Sequence, residues 1–277
     1  AAEGVLACPS LEVDPYRALT PHLAVASARA RALSALATRT ARVVVVSARA
    51  LLPRLTDPVR LAAVSLILKA GTEISPQDLG DRLTAAGFIP EDPVDEHGEF
   101  CVRGGVVDFY PAAESTPVRL EFVGDIVESI RRYDSATQRS QAALDRITIS
   151  PQRELLDDPD TPDDPEAHDR SSTFIDYVRR SGAEFIVFEP DDVADRVQGL
   201  ERQWRDSAEV LKARGKQVPS FESIALGWSE LGVWIEAGHQ VSQLTLDEPE
   251  AGAHVTSTPS LEYHGRISDW VDEIKRV

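Results

Sequence analysis

The apolar positions along this chain change their spacing twice. From residue 22 to 37, HLAVASARARALSALA sets Leu and Val along one side of an Ala-rich stretch, which predicts a helix. RVVVVS directly after it is a continuous apolar run of the kind that forms a buried parallel strand. SARALLPRL predicts a short helix interrupted by Pro53, and AAVSLILK, residues 62 to 69, a further strand that turns at Gly71. SPQDLGDRLTAAG carries the marks of a complete helix: Ser75 as N-cap, Pro76 at the first helical position, Asp78 three residues after the cap and Gly87 as terminator.

Between residues 99 and 150 the period falls to two. In VRLEFV, Val118, Leu120 and Phe122 share one face, while Arg119, Glu121 and Val123 share the other. IVESIRRY and LDRITIS continue the alternation across short turn signals, which predicts an antiparallel meander. Pro111 and the AAEST stretch mark a turn, and Gly104-Gly105 predicts a bulge or tight link rather than a strand interior. Because Val118, Leu120 and Phe122 point to the core, Arg119 points away, and its exchange for Glu is expected to leave folding nearly intact.

DDPDTPDDPEAHD, residues 157 to 169, reads as a solvated acidic linker, without the central Gly and terminal Glu of a calcium loop. The α/β alternation then resumes: a helix over TFIDYVRRSG, a strand AEFIVFE, a long helix from Asp191 to about Gly215, and a strand LGVWIEA. Residues 240 to 260 have linker composition, and EYHGRISDWVDEIKRV begins another helix. The order predicts α/β, then an inserted antiparallel α+β unit, then α/β again, the outer pieces forming one domain. The expected boundaries are 1–64 for the first part of that domain, 65–150 for the insert, 151–245 for the second part, and 246–277 for a linker and the start of a next domain.

Composition narrows the function. With 46 Asp+Glu against 29 Lys+Arg and a net charge of −17, the chain by itself is a poor non-specific duplex binder. No apolar run approaches a bilayer span, and no signal peptide is visible. Cys8 and Cys101, far apart, point away from a disulfide framework or a zinc site and fit a reducing cytoplasm. Methionine is absent even at position 1, so the chain is expected to be a piece of a longer polypeptide, cut at both ends.

The candidate chemistry is sparse. No P-loop occurs, and Arg103-Gly-Gly lacks the strand–loop–helix setting that aims backbone N–H groups at a phosphate. FIVFEPDD ends an apolar strand in Glu189, as an ATPase strand does, yet Phe188 stands where the paired acid belongs, which favours a helix-start role. The histidines are scattered. Arg196, Arg202, Arg205, Lys212 and Arg214 are interleaved with acids, as on a salt-bridged helix face, with DNA contact as the alternative. Arg119 and Val123 lie about 13 Å apart along one strand, on one side, with Arg103 on the neighbouring strand. That face is either a solvated surface whose charges discourage edge pairing or one that holds two positive charges out for a partner.

HGEFCVRGGVVDFYP followed by RLEFVGDIVESIRRYDSATQRS resembles the UvrB-homology region of the bacterial transcription-repair coupling factors (Mfd). DPYRALTPH and VVVVSARALLPRL upstream, and AEFIVFEPDDV downstream, extend the likeness over most of the chain. UvrB shares an R-G-x-F-R-V-R-G segment, but the Gly-Gly after Arg103 and the SIRRYDSATQRS ending favour the coupling factors. The resemblance implies an incomplete RecA-like parallel-sheet domain split by an inserted antiparallel α+β domain that docks UvrA. It further implies a cytoplasmic, non-catalytic adaptor module of a nucleotide-excision-repair translocase, recruiting UvrA to lesions where RNA polymerase is stalled, with a UvrB-type subunit or an ATP-dependent helicase core as the alternative. No cofactor is implied for this segment. ATP and magnesium belong to the parent's motor region, RNA polymerase and double-stranded DNA contact other parts of the parent, and no membrane is involved. The family's UvrA-contacting residues, two arginines and an aromatic, fall on Arg103, Arg119 and position 123, where this chain departs with Val123.

Overall fold

The computed structural model describes residues 4–17, 21–111, 114–158 and 167–242. Strand β1 (Val5–Cys8), helix α1 (Leu23–Ala37) and strand β2 (Val43–Val46) form a β-α-β unit in which the strands run parallel, Val5 opposite Val43 and Cys8 opposite Val46. α1 begins where His22 Nδ1 accepts the Ala24 backbone N–H, and it buries Ala30, Leu33 and Leu36. The RVVVVS run is not buried throughout as its sequence suggests. Val44 and Val46 pack on the core while Val43 and Val45 are 50% and 61% exposed, because only one face of the strand pair is covered.

A 3-10 turn, Ala48–Leu51, precedes Pro53. Helix α2 (Pro58–Ala63) is capped by Asp57, whose carboxylate accepts the Val59 and Arg60 N–H groups, so strand β3 (Leu66–Lys69) occupies only the second half of the run that read as a strand. Helix α3 (Pro76–Ala85) forms where its signals place it: Ser75 Oγ accepts the Asp78 N–H at 3.0 Å, and Gly87 leaves the helix at φ +88°.

Strands β4 (Ile89–Pro90), β5 (Glu99–Arg103), β6 (Val106–Phe109), β7 (Val118–Val123), β8 (Ile126–Tyr133) and β9 (Ser140–Ala143) make one sheet in sequence order, antiparallel apart from the β4–β5 pair. Strand β10 (Arg146–Ile149) then pairs antiparallel with β3, Ile149 opposite Leu66. One face of the six-stranded sheet, with Phe100, Val107, Phe109, Val118, Leu120 and Ile130, packs on Leu79 and Leu83 of α3.

Helix α4 (Phe174–Ser181) opens on Thr173, whose N–H is accepted by Asp176, and closes at Gly182 with φ 70°. Strand β11 (Ile186–Phe188), helices α5 (Pro190–Ala213), α6 (Phe221–Ile224) and α7 (Trp228–Ala237), and strand β12 (His239–Val241), parallel to β11, complete the described chain. LGVWIEA is therefore helical, not a strand. Leu231 and Ile235 are buried four residues apart, Val233 between them is 65% exposed, and Glu201 accepts the otherwise orphaned Trp228 N–H at 2.8 Å.

The hydrophobic residues sort into two cores. One draws on residues 8–61 and 156–235, the other on residues 68–149, and Val64 packs against both. The molecule is thus mixed α/β with parallel and antiparallel sheets. The helix expected over EYHGRISDWVDEIKRV, the 246–277 segment, most of the acidic linker (159–166) and Ala112-Ala113 lie outside the described residues. Among the described residues no helix is long and apolar enough to cross a membrane, and no group of three His, Cys, Asp or Glu is placed to hold a metal.

Candidate partner-docking site

Two glycine hairpins set out the face that carries the sequence-predicted site. Arg103 and Val106 pair across Gly104-Gly105, the tight link the double glycine suggested, with Gly104 at φ +58°. A side chain on Gly105 would approach the Phe122 carbonyl at 3.2 Å, so this turn needs glycine twice, for conformation and for space. Val123 and Ile126 pair across Gly124-Asp125 in the same manner, with Gly124 at φ +59°. Both hairpin tips lie at one end of the sheet, since Val106 is opposite Glu121.

The cross-strand register fixes which side chains share the outer face. Cys101, Asp108, Arg119 and Arg131 stand in one row, and Arg103, Val106, Glu121 and Ser129 in the next. Arg119 does point away from the core, as its strand position predicts, but its charge is already engaged. Its Nε and one terminal nitrogen each donate to an oxygen of Asp108 at 2.7 Å, that terminal nitrogen also donates to Gln138 at 3.0 Å, and the guanidinium lies 4.5 Å over the Tyr133 ring. Tyr133 is fully buried and Asp108 is 1% exposed, so Arg119→Glu is expected to disturb the fold rather than leave it intact. The Asp108 hydrogen bonds push the Arg119 guanidinium up from its ordinary range, against the effect of burial. Burial, reinforced by the Asp108 charge, does the same to the Tyr133 hydroxyl.

Arg103 is the more available cation. Its side chain is 45% exposed, 3.1 Å from the second Asp108 oxygen and 3.5 Å from Asp92. Cys101 sits beside this pair. Burial and then Asp92 push its thiol up, Arg103 opposing, so it has no thiolate character. Val123 is 62% exposed and Ile126 50%, which leaves a small apolar tip at the hairpin end of the sheet. Asp108, Tyr133 and Gln138 escaped the sequence reading. DFYP in strand period places Asp108 on the Arg119 face, but only the register across the 110–117 connection puts the two opposite each other.

The remaining candidates fall apart as chemistry. Glu189 is the N-cap position of α5 at φ 50°, followed by Asp191 and Asp192 in the first turn, consistent with a helix-start role. On α5, Arg205 pairs with Glu201 and Glu222, and Lys212 with Glu209, whereas Arg196, Arg202 and Arg214 make no ion pair among the described residues.

Residues 66–155, the span that contains this sheet and its helix, match the family model of the UvrB interaction domain. The relatives are of two kinds. Transcription-repair-coupling factors of Haemophilus influenzae and Bacillus subtilis are 32% identical over 57% of this chain and 38% identical over 41% of it. The UvrABC system protein B of Gemmatimonas aurantiaca is 35% identical over 46% of it. The resemblance to the coupling factors read from the sequence thus stands. The matches cover 14%, 10% and 18% of these relatives' own lengths, so the chain corresponds to a small part of each.

Proposed function

We propose that this chain is the UvrB-like adaptor module of a transcription-coupled nucleotide-excision-repair translocase, and that it recruits UvrA through the outer face of the β5–β8 sheet. The observation that carries the reading is the coincidence of the UvrB interaction domain match, residues 66–155, with the sheet that presents Arg103, Arg119 and Val123. Relatives from both the coupling factors and the UvrABC system support a DNA-repair adaptor role. In this reading residues 1–64 and 151–245 form one RecA-like domain that hydrolyses no ATP, and 65–150 is the docking insert. ATP, magnesium, RNA polymerase and duplex DNA are handled by other parts of the parent protein, in the cytoplasm.

The test is titration of purified UvrA against the 277-residue chain and its Arg103→Glu variant. Arg103 is half exposed, so its reversal spares the fold while removing an anchor at the docking face, and an anchor of this kind is worth about 2 kcal/mol or more. No binding by the wild type sinks the reading. Undiminished binding by a folded Arg103→Glu variant moves the site elsewhere.

A further inference from the structure

Two arginines on the candidate docking face share a single carboxylate, and this points to a role for a residue that offers a partner almost no surface of its own. Asp108 stands in the centre of the sheet, on β6, with one oxygen 2.7 Å from Arg119 Nε and the other 2.7 Å from an Arg119 terminal nitrogen and 3.1 Å from Arg103. A carboxylate can accept from two forked donors at once, and here both of its oxygens are used. Arg119 is held on three sides: by Asp108 along its edge, by Gln138 on a terminal nitrogen, and by the Tyr133 ring beneath it. Arginine carries about 2 kcal/mol of rotamer entropy when free. A guanidinium fixed before docking does not have to surrender that freedom on binding.

We propose that Asp108 is a positioning residue for partner docking: it sets Arg119 and Arg103 as one preformed fork for a carboxylate on the partner, leaving open the Arg103 edge and the Arg119 nitrogen that carries no hydrogen bond among the described residues. The proposal rests on the UvrA-docking reading given above. It makes a prediction opposite in sign to simple charge counting. Asp108 is an acid beside a site for an acidic surface, so counting charges says that Asp108→Asn strengthens binding. Positioning says that it weakens binding, because the amide cannot accept with both atoms and the fork is released. The apolar tip at Val123 and Ile126 then contributes alongside the fork but does not replace it.

The experiment measures the UvrA dissociation constant for wild type, Asp108→Asn, Arg119→Lys and the double variant, each with a thermal melt. Asp108→Asn is expected to weaken binding about tenfold, a change typical of losing a well-made charged contact. Lysine keeps the charge of Arg119 but cannot span both Asp108 oxygens. In the Arg119→Lys background the further effect of Asp108→Asn is therefore expected to shrink to less than about threefold, the signature of one residue acting through another. Should Asp108→Asn fail to fold, Gln138→Leu replaces it. That change removes an acceptor from Arg119 at an exposed position and is expected to weaken binding about threefold, where charge counting predicts no change. Equal or tighter binding by folded Asp108→Asn, or unchanged binding by Gln138→Leu when Asp108→Asn is unfolded, overturns the positioning role. Both results presuppose a wild type that binds UvrA, so they are distinct from failure of the docking reading, in which wild type does not bind.

Discussion

Arg29 of α1 and Glu154, which follows β10, meet as an ion pair inside the protein with side chains 0% and 7% exposed. Arg29 also donates to the carbonyls of Pro9 at 2.7 Å and Ala50 at 3.3 Å, which satisfies the guanidinium on three sides. Burial pushes Arg29 down from its ordinary range, but the Glu154 charge, the Cys8 charge and the Glu154 hydrogen bond together more than reverse the effect. Removing one partner leaves the other charge buried and alone. Glu154→Ala is expected to destabilise the chain by about 3 kcal/mol or more, whereas the paired replacement Arg29→Met with Glu154→Leu costs less than either single change. Urea unfolding midpoints of wild type, Glu154→Ala, Arg29→Met and the paired replacement check this.

The same logic separates Arg103 from Arg119 by their effect on the fold. Arg119→Glu sets a second carboxylate against buried Asp108 and removes the cation lying on Tyr133, so it is expected to cost about 3 kcal/mol. Arg103→Glu, at a half-exposed hairpin end, costs less than about 1 kcal/mol. Thermal melts of both variants decide it, and equal melting temperatures would remove the Asp108 clamp from the account.

Position 123 tests the apolar part of the face. Val123 is exposed at a hairpin tip, so exchanges there are expected to leave the melting temperature nearly unchanged. Val123→Phe is expected to tighten UvrA binding severalfold and Val123→Ala to weaken it about twofold, since an aromatic buries far more area than valine. Titration calorimetry of the two variants reads both effects.

Acid is expected to lower stability in two stages. Burial, then the charges of Arg170 and Arg153, hold the His168 imidazole below its ordinary 6.5, with Asp157 opposing. The unfolded chain therefore takes up that proton first, and stability begins to fall as pH drops through about 6.5. For Asp169 burial pushes the carboxyl up, but the Ser171 hydroxyl and N–H, Arg60 and the Asp57 N–H together hold it below its ordinary 3.8. Its contribution is fully present above about pH 3.9 and is lost as pH falls through the lower folded value. Unfolding midpoints from pH 3 to 8 should show both stages. His168→Gln is expected to remove the upper one and Asp169→Asn to reduce the lower, to which Asp134 and Glu222 also contribute.

Residues 68–149 supply a core of their own, with α3 on one side of the six-stranded sheet. A fragment of residues 65–150 is expected to unfold cooperatively, because its apolar contacts are internal. A non-cooperative melt of that fragment would remove the 65–150 boundary.

What could be read from the sequence was whatever local chemistry decides. Ser75-Pro76 and Asp78 specify a helix start within four residues, and the alternation in VRLEFV assigns its faces without outside help. The LGVWIEA helix was hidden because Leu231, Val233 and Ile235 also fit a strand. Its state is decided by Trp228 packing over Gly232, where a Cβ would come within 2.9 Å of the ring, and by Glu201 from another helix. Arg103 and Arg119 were visible as residues. Their engagement was not, because the partner that engages them lies across a connection whose length does not fix register.

The chain enters and leaves the residue 68–149 core through β3 and β10, which lie side by side with Leu66 opposite Ile149 at the end nearest the other core. In mechanical terms these strands are two straps anchored at one place. A pull on the docking face stretches both in the same direction, so the ladder between them bears no shear and tension divides between two covalent paths. Beyond the straps the tension reaches α1, where Ser27 meets Gln152 and Arg29 meets Glu154. A partner that tugs on this sheet therefore draws on the interior of the other core rather than on a loose tether.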